Sequence, residues 1–225
     1  ERGLELAAEL ARASHPAEMS GEPAIPGWLE LEAGEDDAAR SSLFSSHGFA
    51  PLRYYFEMRR PLAEPIPEVT VPSGLALVPF DWARDADVRM AHNEAFLDHW
   101  GSTGIDEETW AMWVTGHREF RPDLSYLVCD RDEIAGYALS SAHPEDWPGL
   151  GFREGWTHQL GVRRPWRGRG VARTLLHATL RAFAAEELEF AALDVDAENP
   201  TGALALYLGT GYVRDRCRVA WGRDL

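Results

Sequence analysis

Short apolar runs bounded by polar turns recur along this chain, and after residue 75 they alternate with longer periodic stretches of helical spacing. The pattern predicts a strand at 75–79, a helix at 83–96, and a second helix at 106–118 that opens on Asp106-Glu107-Glu108, where acids favour a helix start. Two strands follow, at 125–129 and 134–140, around a turn at Arg131-Asp132. A polar, proline-bearing loop over 143–153 leads to a strand at 157–162, a basic loop, and a helix reaching about residue 185. The chain then reads as a strand at 190–195, a short helix at 201–208, and two strands at 211–216 and 218–222. This order predicts an α/β chain built on a mixed sheet.

Upstream, Pro61, Pro65, Pro67 and Pro72 fall within 61–74, which excludes a helix or a central strand and predicts an extended connector. It divides a short N-terminal piece, 1–60, from a full-sized domain, 75–225. The two parts resemble each other. Residues 28–49 and 192–212 both read as strand, acidic turn, short helix and a Gly-aromatic pair, Gly48-Phe49 in one and Gly211-Tyr212 in the other. Farther upstream, Arg2-Gly3-Leu4-Glu5 falls where Arg169-Gly170-Val171-Ala172 stands in the later copy. The N-terminal piece is therefore expected to be the second half of a related domain; an unrelated helix and hairpin is the alternative.

Charge narrows the function classes. The 225 residues carry 37 acids and 22 basic side chains, a net charge of -15, and every basic side chain is arginine. Without lysine, Schiff-base and P-loop lysine chemistry drop out. The acidic balance argues against nucleic acid and fits small molecules, cationic ones included. Cys129 and Cys217 sit in apolar, strand-like runs and are expected to be reduced core thiols. No apolar run approaches the ~18 residues of a membrane span, and the opening Glu1-Arg2-Gly3-Leu4-Glu5 lacks a signal peptide's apolar core, so no membrane association and a cytoplasmic location are expected.

Against that background, residues 155–185 contain no Asp or Glu, where an even spread of the 37 acids would place about five. The stretch reads as strand, basic glycine loop and helix start, an arrangement that grips phosphate. A P-loop would need lysine and a hydroxyl after Gly170, and has neither. A dinucleotide fingerprint fits Gly168 and Gly170, but Arg173 holds the third small position and five residues separate strand from glycines. What remains is Arg167-Gly168-Arg169-Gly170-Val171-Ala172, an Arg/Gln-x-x-Gly-x-Gly/Ala pattern.

That pattern resembles the acetyl-CoA loop of the GNAT superfamily of N-acetyltransferases, and the element order after residue 75 is similar to the fold of that family. The resemblance implies a pyrophosphate held by backbone N–H groups at the helix start, with Arg167 and Arg169 pairing phosphate oxygens; solvated arginines on a glycine turn are the alternative. Asn199, Ala203, Tyr207, Gly211 and Tyr212 are similar to the family's Asn-x3-Ala-x3-Tyr-x3-Gly-Phe segment, with Tyr212 for the usual Phe. There the asparagine contacts the cofactor and the tyrosine protonates the departing thiolate; a packing role is the other reading of Tyr207. The resemblance also implies that the strand end Leu160-Gly161-Val162, where it splays from its neighbour, lies along the cofactor and offers a backbone N–H to the carbonyl oxygen, with Leu160 and Val162 as the cofactor contacts.

The implied reaction sets further requirements. An alkylamine with pKa near 10.4 is only ~0.04% neutral at pH 7, so a general base must help. His158 is the first candidate, Glu154 the second, and Glu94, Asp98 and His99 form a third group. Phe96, His99 and Trp100, with Trp110 nearby, lie where the family builds its acceptor pocket, although aromatics at helical spacing also serve as core. No metal-ligand spacing and no Gly-x-Ser-x-Gly elbow occurs, so no metal is expected. The expected activity is acetyl-CoA-dependent acetylation of a primary amine, on a small molecule or a peptide; a non-catalytic acyl-CoA-binding or interaction module is the alternative. The tandem layout resembles the mycothiol synthase group, in which two such domains share a chain, and this implies a small metabolite amine, with protein, antibiotic and polyamine amines equally open. In the first copy Glu5 stands where the loop needs Gly or Ala, and Leu43-Phe44-Ser45 lies near the place of Tyr207, so that copy is expected to be degenerate. The oligomeric state is left open.

Overall fold

The computed structural model describes residues 28–100, 102, 104–199 and 201–224. Arg2-Gly3-Leu4-Glu5, the partial loop of the internal comparison, lies outside these described residues. The chain forms two compact units: Glu1–Phe56 with Asp196–Glu198 and Arg216–Leu225, and Glu57–Val195 with Asn199–Asp215.

The first unit holds β1 (Trp28–Gly34), α1 (Ala38–Ser46), the start of β2 (Ala50–Pro61) and the end of β8 (Val213–Asp224). β1 pairs antiparallel with β8, from Trp28 opposite Asp224 to Gly34 opposite Arg218. Asp37 caps α1 by accepting from the Arg40 N–H at 2.9 Å, which satisfies one of the four orphan donors of a helix start. Ala33, Phe44, Phe49, Val219 and Trp221 make its core, with the Phe44 ring 5.9 Å from Trp221. Two separate strands were expected at the C-terminal end, but β8 runs unbroken through Cys217, which is buried and whose carbonyl accepts from the Glu35 N–H at 2.9 Å.

In the second unit the order is β3 (Ala76–Pro79), α2 (Asp85–Ala95), α3 (Glu107–Trp110), β4 (Tyr126–Asp130), β5 (Glu133–Ser141), α4 (Trp147–Leu150), β6 (Glu154–Val162), α5 (Val171–Ala185), β7 (Phe190–Asp196) and α6 (Ala203–Leu208). The sheet order β7-β6-β5-β4-β3 combines antiparallel neighbours with a parallel β6–β7 pair, so the sheet is mixed. Alternating side chains give it two packed faces. Leu127, Cys129, Tyr137 and Leu139 point to a core shared with Val88, Ala91, Trp110 and Val114 of the α2–α3 side. Val128, Ala135 and Ala138 point the other way, onto Trp166, Val171 and Leu175. α5 buries Leu175, Leu176, Leu180 and Phe183 completely.

Local differences from the expected elements have physical reasons. The second helix starts at the Asp106 cap, which accepts from the Thr109 N–H at 2.8 Å, but regular winding stops at Trp110 and a wider turn continues only to Thr115. Trp110 is the anchor there: it is 1% exposed and donates from Nε1 to Asp85 at 2.9 Å. β6 begins at Glu154, three residues earlier than expected, and α4 interrupts the loop before it. The 61–74 connector is extended and lies along α5, where Arg181 donates to the Ile66 and Pro67 carbonyls and Thr174 to the Thr70 carbonyl.

The ends of α1 and α6 share one hydrogen-bond pattern. Phe49 N–H donates to the Phe44 carbonyl and Tyr212 N–H to the Tyr207 carbonyl, both at 3.1 Å, with Gly48 and Gly211 in the left-handed region at φ 79° and 89°. The paired rings stand 6.2 Å and 6.0 Å apart.

Candidate active site

The site begins where two strands part. β6 and β7 pair in parallel only from Glu154 opposite Phe190 to Trp156 opposite Ala192. Beyond Trp156 the edge of β6 is open on that side, and a cleft of about 920 Å³ follows it. The cleft is lined by the end of α2 and its following turn, by Leu160, Gly161 and Val162, by the basic loop and the first turn of α5, and by Thr201–Ala203, Leu206 and Tyr207. On the other edge of β6 the register with β5 shifts: Leu139 opposes Gln159 while Ser140 opposes Thr157, so His158 is the extra residue of a β-bulge.

At one end of the cleft, Gly168 and Gly170 adopt φ 74° and 90°, a region L side chains rarely enter. Gly170 is the N-cap of α5 and offers no side chain to its first turn. The N–H groups of Val171, Ala172 and Arg173 therefore have no helical acceptors, and the helix dipole places partial positive charge at the same spot. All three residues line the cleft, so this end of it carries partial positive charge.

The arginines divide the work differently from the expectation. Arg167 lines the cleft, but its guanidinium is committed to protein groups: Nε donates to Val162 O at 3.1 Å, Nη2 to Ala95 O at 2.8 Å and Nη1 to Asp98 at 2.9 Å. Arg164 also holds Asp98, and Arg163 holds Glu94 at 2.6 Å. These pairs fasten the basic loop to the end of α2. Hydrogen bonds from Arg164 and then Arg167 hold the Asp98 carboxyl at about 2, so it is a fixed anion and not a base. Arg169 is exposed and outside the lining, while Arg173, which the expectation passed over, lines it.

Tyr207 forms part of the cleft wall, 7% exposed, and burial pushes its pKa up to about 12, so the phenol keeps its proton at neutral pH. Phe96 and His99 also line the cleft and stack at 4.2 Å; Trp100 does not line it. Asn199 does not line it either. Its Oδ1 accepts from the Thr201 N–H and hydroxyl at 2.8 and 2.6 Å, so it shapes the turn that brings Thr201 and Gly202 to the wall.

The base candidates separate cleanly. Glu154 is 4% exposed and away from the cleft lining; its carboxylate accepts from Arg59 Nε at 2.8 Å and Trp156 Nε1 at 3.1 Å. Arg59 in turn bridges Glu57 and Asp215. Glu154 thus closes a buried ion-pair network and is corrected from base to structural anchor. His158 is also outside the cleft lining; it stands on the bulge, beside the point where β6 leaves β7, and its ring hydrogen-bonds to the Trp113 backbone. Desolvation by its neighbours and then the adjacent His117 push its pKa below the usual imidazole value, which keeps it neutral at pH 7.

Sequence reasoning took Gly161 only as part of the strand end and passed over Trp166, and both line the cleft. Gly161 had a legible signal, since glycine inside a strand marks a close approach. A Cβ there would overlap the ring of Tyr137, itself fully buried with its hydroxyl 2.7 Å from His92 Nδ1. Among the described residues, no cluster of His, Cys, Asp and Glu could hold a metal ion, and no helix is long and apolar enough to cross a membrane.

Comparison with known proteins places this geometry. The Acetyltransferase (GNAT) family pattern matches residues 86–212, from α2 through the glycine loop to Tyr212. The mycothiol acetyltransferase of Frankia alni is 31% identical over 222 residues, covering 94% of this chain and 64% of that protein. That of Thermobispora bispora is 29% identical over 200 residues, covering 87% and 65%. The chain thus spans less than two thirds of the length of these curated relatives. Among solved structures, a GCN5-related N-acetyltransferase from Sphaerobacter thermophilus superposes with TM-score 0.75 at 26% identity, over 99% of this chain and 69% of that one. A tandem GNAT protein from the clavulanic acid biosynthesis pathway shares the fold at TM-score 0.64 and 15% identity, over 99% and 69%. With its parted strands, left-handed glycine loop and cleft tyrosine all inside the matched segment, the chain belongs to the acetyltransferase (GNAT) family.

Proposed function

We propose that the chain is an acetyl-CoA-dependent N-acetyltransferase acting on a primary amine of a small molecule. The observation that carries this is the cleft along the open edge of β6, which has the N–H groups of the α5 first turn, without helical acceptors, at one end and the protonated Tyr207 in its wall. Gly168, Gly170 and the first turn of α5 would hold the pyrophosphate, with Arg173 nearby, while the open edge at Leu160 to Val162 would guide the pantetheine arm. Acetyl-CoA supplies a thioester whose carbonyl carbon is electrophilic.

His158 takes one proton from the ammonium, the freed amine nitrogen bonds to the carbonyl carbon, and Tyr207 gives its proton to the sulfur as the C–S bond breaks. The nitrogen loses its second proton as the intermediate collapses, and that proton restores the Tyr207 phenol through solvent, so the products are an amide, a free thiol and the one proton that His158 releases. A backbone N–H on the open edge of β6 would receive the carbonyl oxygen. The relatives named mycothiol acetyltransferase favour a metabolite amine over a protein substrate. The matching ends of α1 and α6 support a second reading within this one: the first unit derives from the same half-domain, and Phe44, standing where α6 has Tyr207, leaves it without an acid.

The test is turnover of acetyl-CoA over a panel of amines, with Tyr207→Phe beside wild type. Wild type should form thiol with some amines, and the variant should bind acetyl-CoA while losing roughly 10²-fold or more in kcat. Binding of acetyl-CoA with no acetylation across the panel would favour a non-catalytic acyl-CoA module instead.

A further inference from the structure

We infer that the acceptor is received on the α2–α3 face of β6, in a subsite walled by His117, Ser141 and Trp156 around His158, and that it is a polar amine carrying a hydroxyl or amide near the reacting nitrogen. This rests on the acetyl-transfer reading, and it moves the acceptor away from the Phe96–Trp100 turn to a different wall.

The β-bulge supplies the first argument. In a bulge, two residues of one strand oppose one of the other and share its face. His158 and Gln159 both oppose Leu139, whose side chain belongs to the core under α2 and α3. His158 therefore rises on the face opposite α5, two residues past the last β6–β7 pair, where a group threaded through the parted strands would emerge.

The second argument is a pair of orphaned polar atoms beside it. The His117 ring stands across the His158 ring at 5.5 Å, edge toward face at 63°. Its Nδ1 lies 3.4 Å from the Glu119 carboxylate, which accepts a hydrogen bond from it and leaves Nε2 as the ring nitrogen open to a ligand. His117 Nε2 is buried and has no hydrogen-bond partner among the described residues. The same holds for the hydroxyl of Ser141, a residue only 1% exposed. Ser141 sits opposite Trp156 in the ladder and bridges Phe120, whose ring is 6.3 Å from His117. Buried polar groups left unpaired are uncommon and disfavoured, and two that flank a candidate base point to a ligand that pairs them. A hydroxyl or amide on that ligand, which both donates and accepts, would pair His117 Nε2, and the Ser141 hydroxyl can pair with it in either sense.

Two nearly isosteric probes, 2-aminoethanol and propylamine, differ only in that hydroxyl. Wild type should acetylate 2-aminoethanol with a kcat/KM about 5-fold or more above that of propylamine, the size expected for one net hydrogen bond. Ser141→Ala and His117→Phe should each collapse the ratio toward one. Because the Ser141 hydroxyl is unpaired in the fold, Ser141→Ala should unfold at no lower temperature than wild type, which separates the effect from misfolding. Ligand-detected NMR titration of the same two amines in the presence of CoA gives the ratio without turnover. A preference that is absent in wild type, or unchanged in both variants, overturns the subsite. Loss of turnover with the binding preference intact overturns the catalytic reading and leaves the subsite standing.

Discussion

His92 shows how one buried side chain ties the site to the stability of its unit. It is 5% exposed, stacks on Phe96 at 4.3 Å and meets the Tyr137 hydroxyl at 2.7 Å, directly beneath Gly161. Burial, and next the charge of His99, push its pKa down to about 4, so the folded state keeps it neutral where an unfolded chain would protonate it near 6.5. The folded pKa is depressed; its stabilising share is therefore full above pH 6.5 and falls as pH drops toward 4. Between pH 6.5 and 5 this amounts to about 2 kcal/mol. Urea unfolding at the two pH values should show that loss in wild type and a clearly smaller one in His92→Gln; equal pH slopes would count against the assignment.

Elements decide how precisely the cleft is held. β6 is pressed from below at Gly161, where an added methyl would enter the fully buried Tyr137 ring, and that ring is pinned by His92. Gly161→Ala should cost about 1–3 kcal/mol by overpacking, read as a lower unfolding midpoint. A neutral result would mean that the strand can lift away from Tyr137. The loop and α5 were legible in the sequence, because glycines at Gly168 and Gly170 and the loss of acids across 155–185 are local signals. The bulge at His158 was not, since it depends on register with a partner strand. Nor were the ion pairs that reassign Glu154, Asp98 and Arg167: Arg59 reaches Glu154 across 95 positions, and Arg167 reaches Asp98 across 69. Charge spacing within a segment carries no trace of partners that far away.

At the scale of the whole molecule, the chain twice runs through a strand, an acidic turn, a short helix ending at a left-handed glycine and a following strand, yet only the second copy keeps a tyrosine at the helix end. The self-comparison of the sequence found that likeness because the Gly-aromatic pair and the acids before it are local, whereas the division between units at Phe56 falls inside β2 and had no composition change to mark it. All residues of the cleft belong to the second unit, so its central claim can be tested on the intact chain at one position. The most direct measurement is a calorimetric titration of acetyl-CoA into wild type and Gly170→Glu, with thermal unfolding confirming that the variant is folded. The carboxylate would stand at the N-cap of α5, where the pyrophosphate is proposed to bind, and should weaken binding by roughly 100-fold through like-charge repulsion and lost backbone contacts. An affinity unchanged by Gly170→Glu would contradict the placement of acetyl-CoA at this loop.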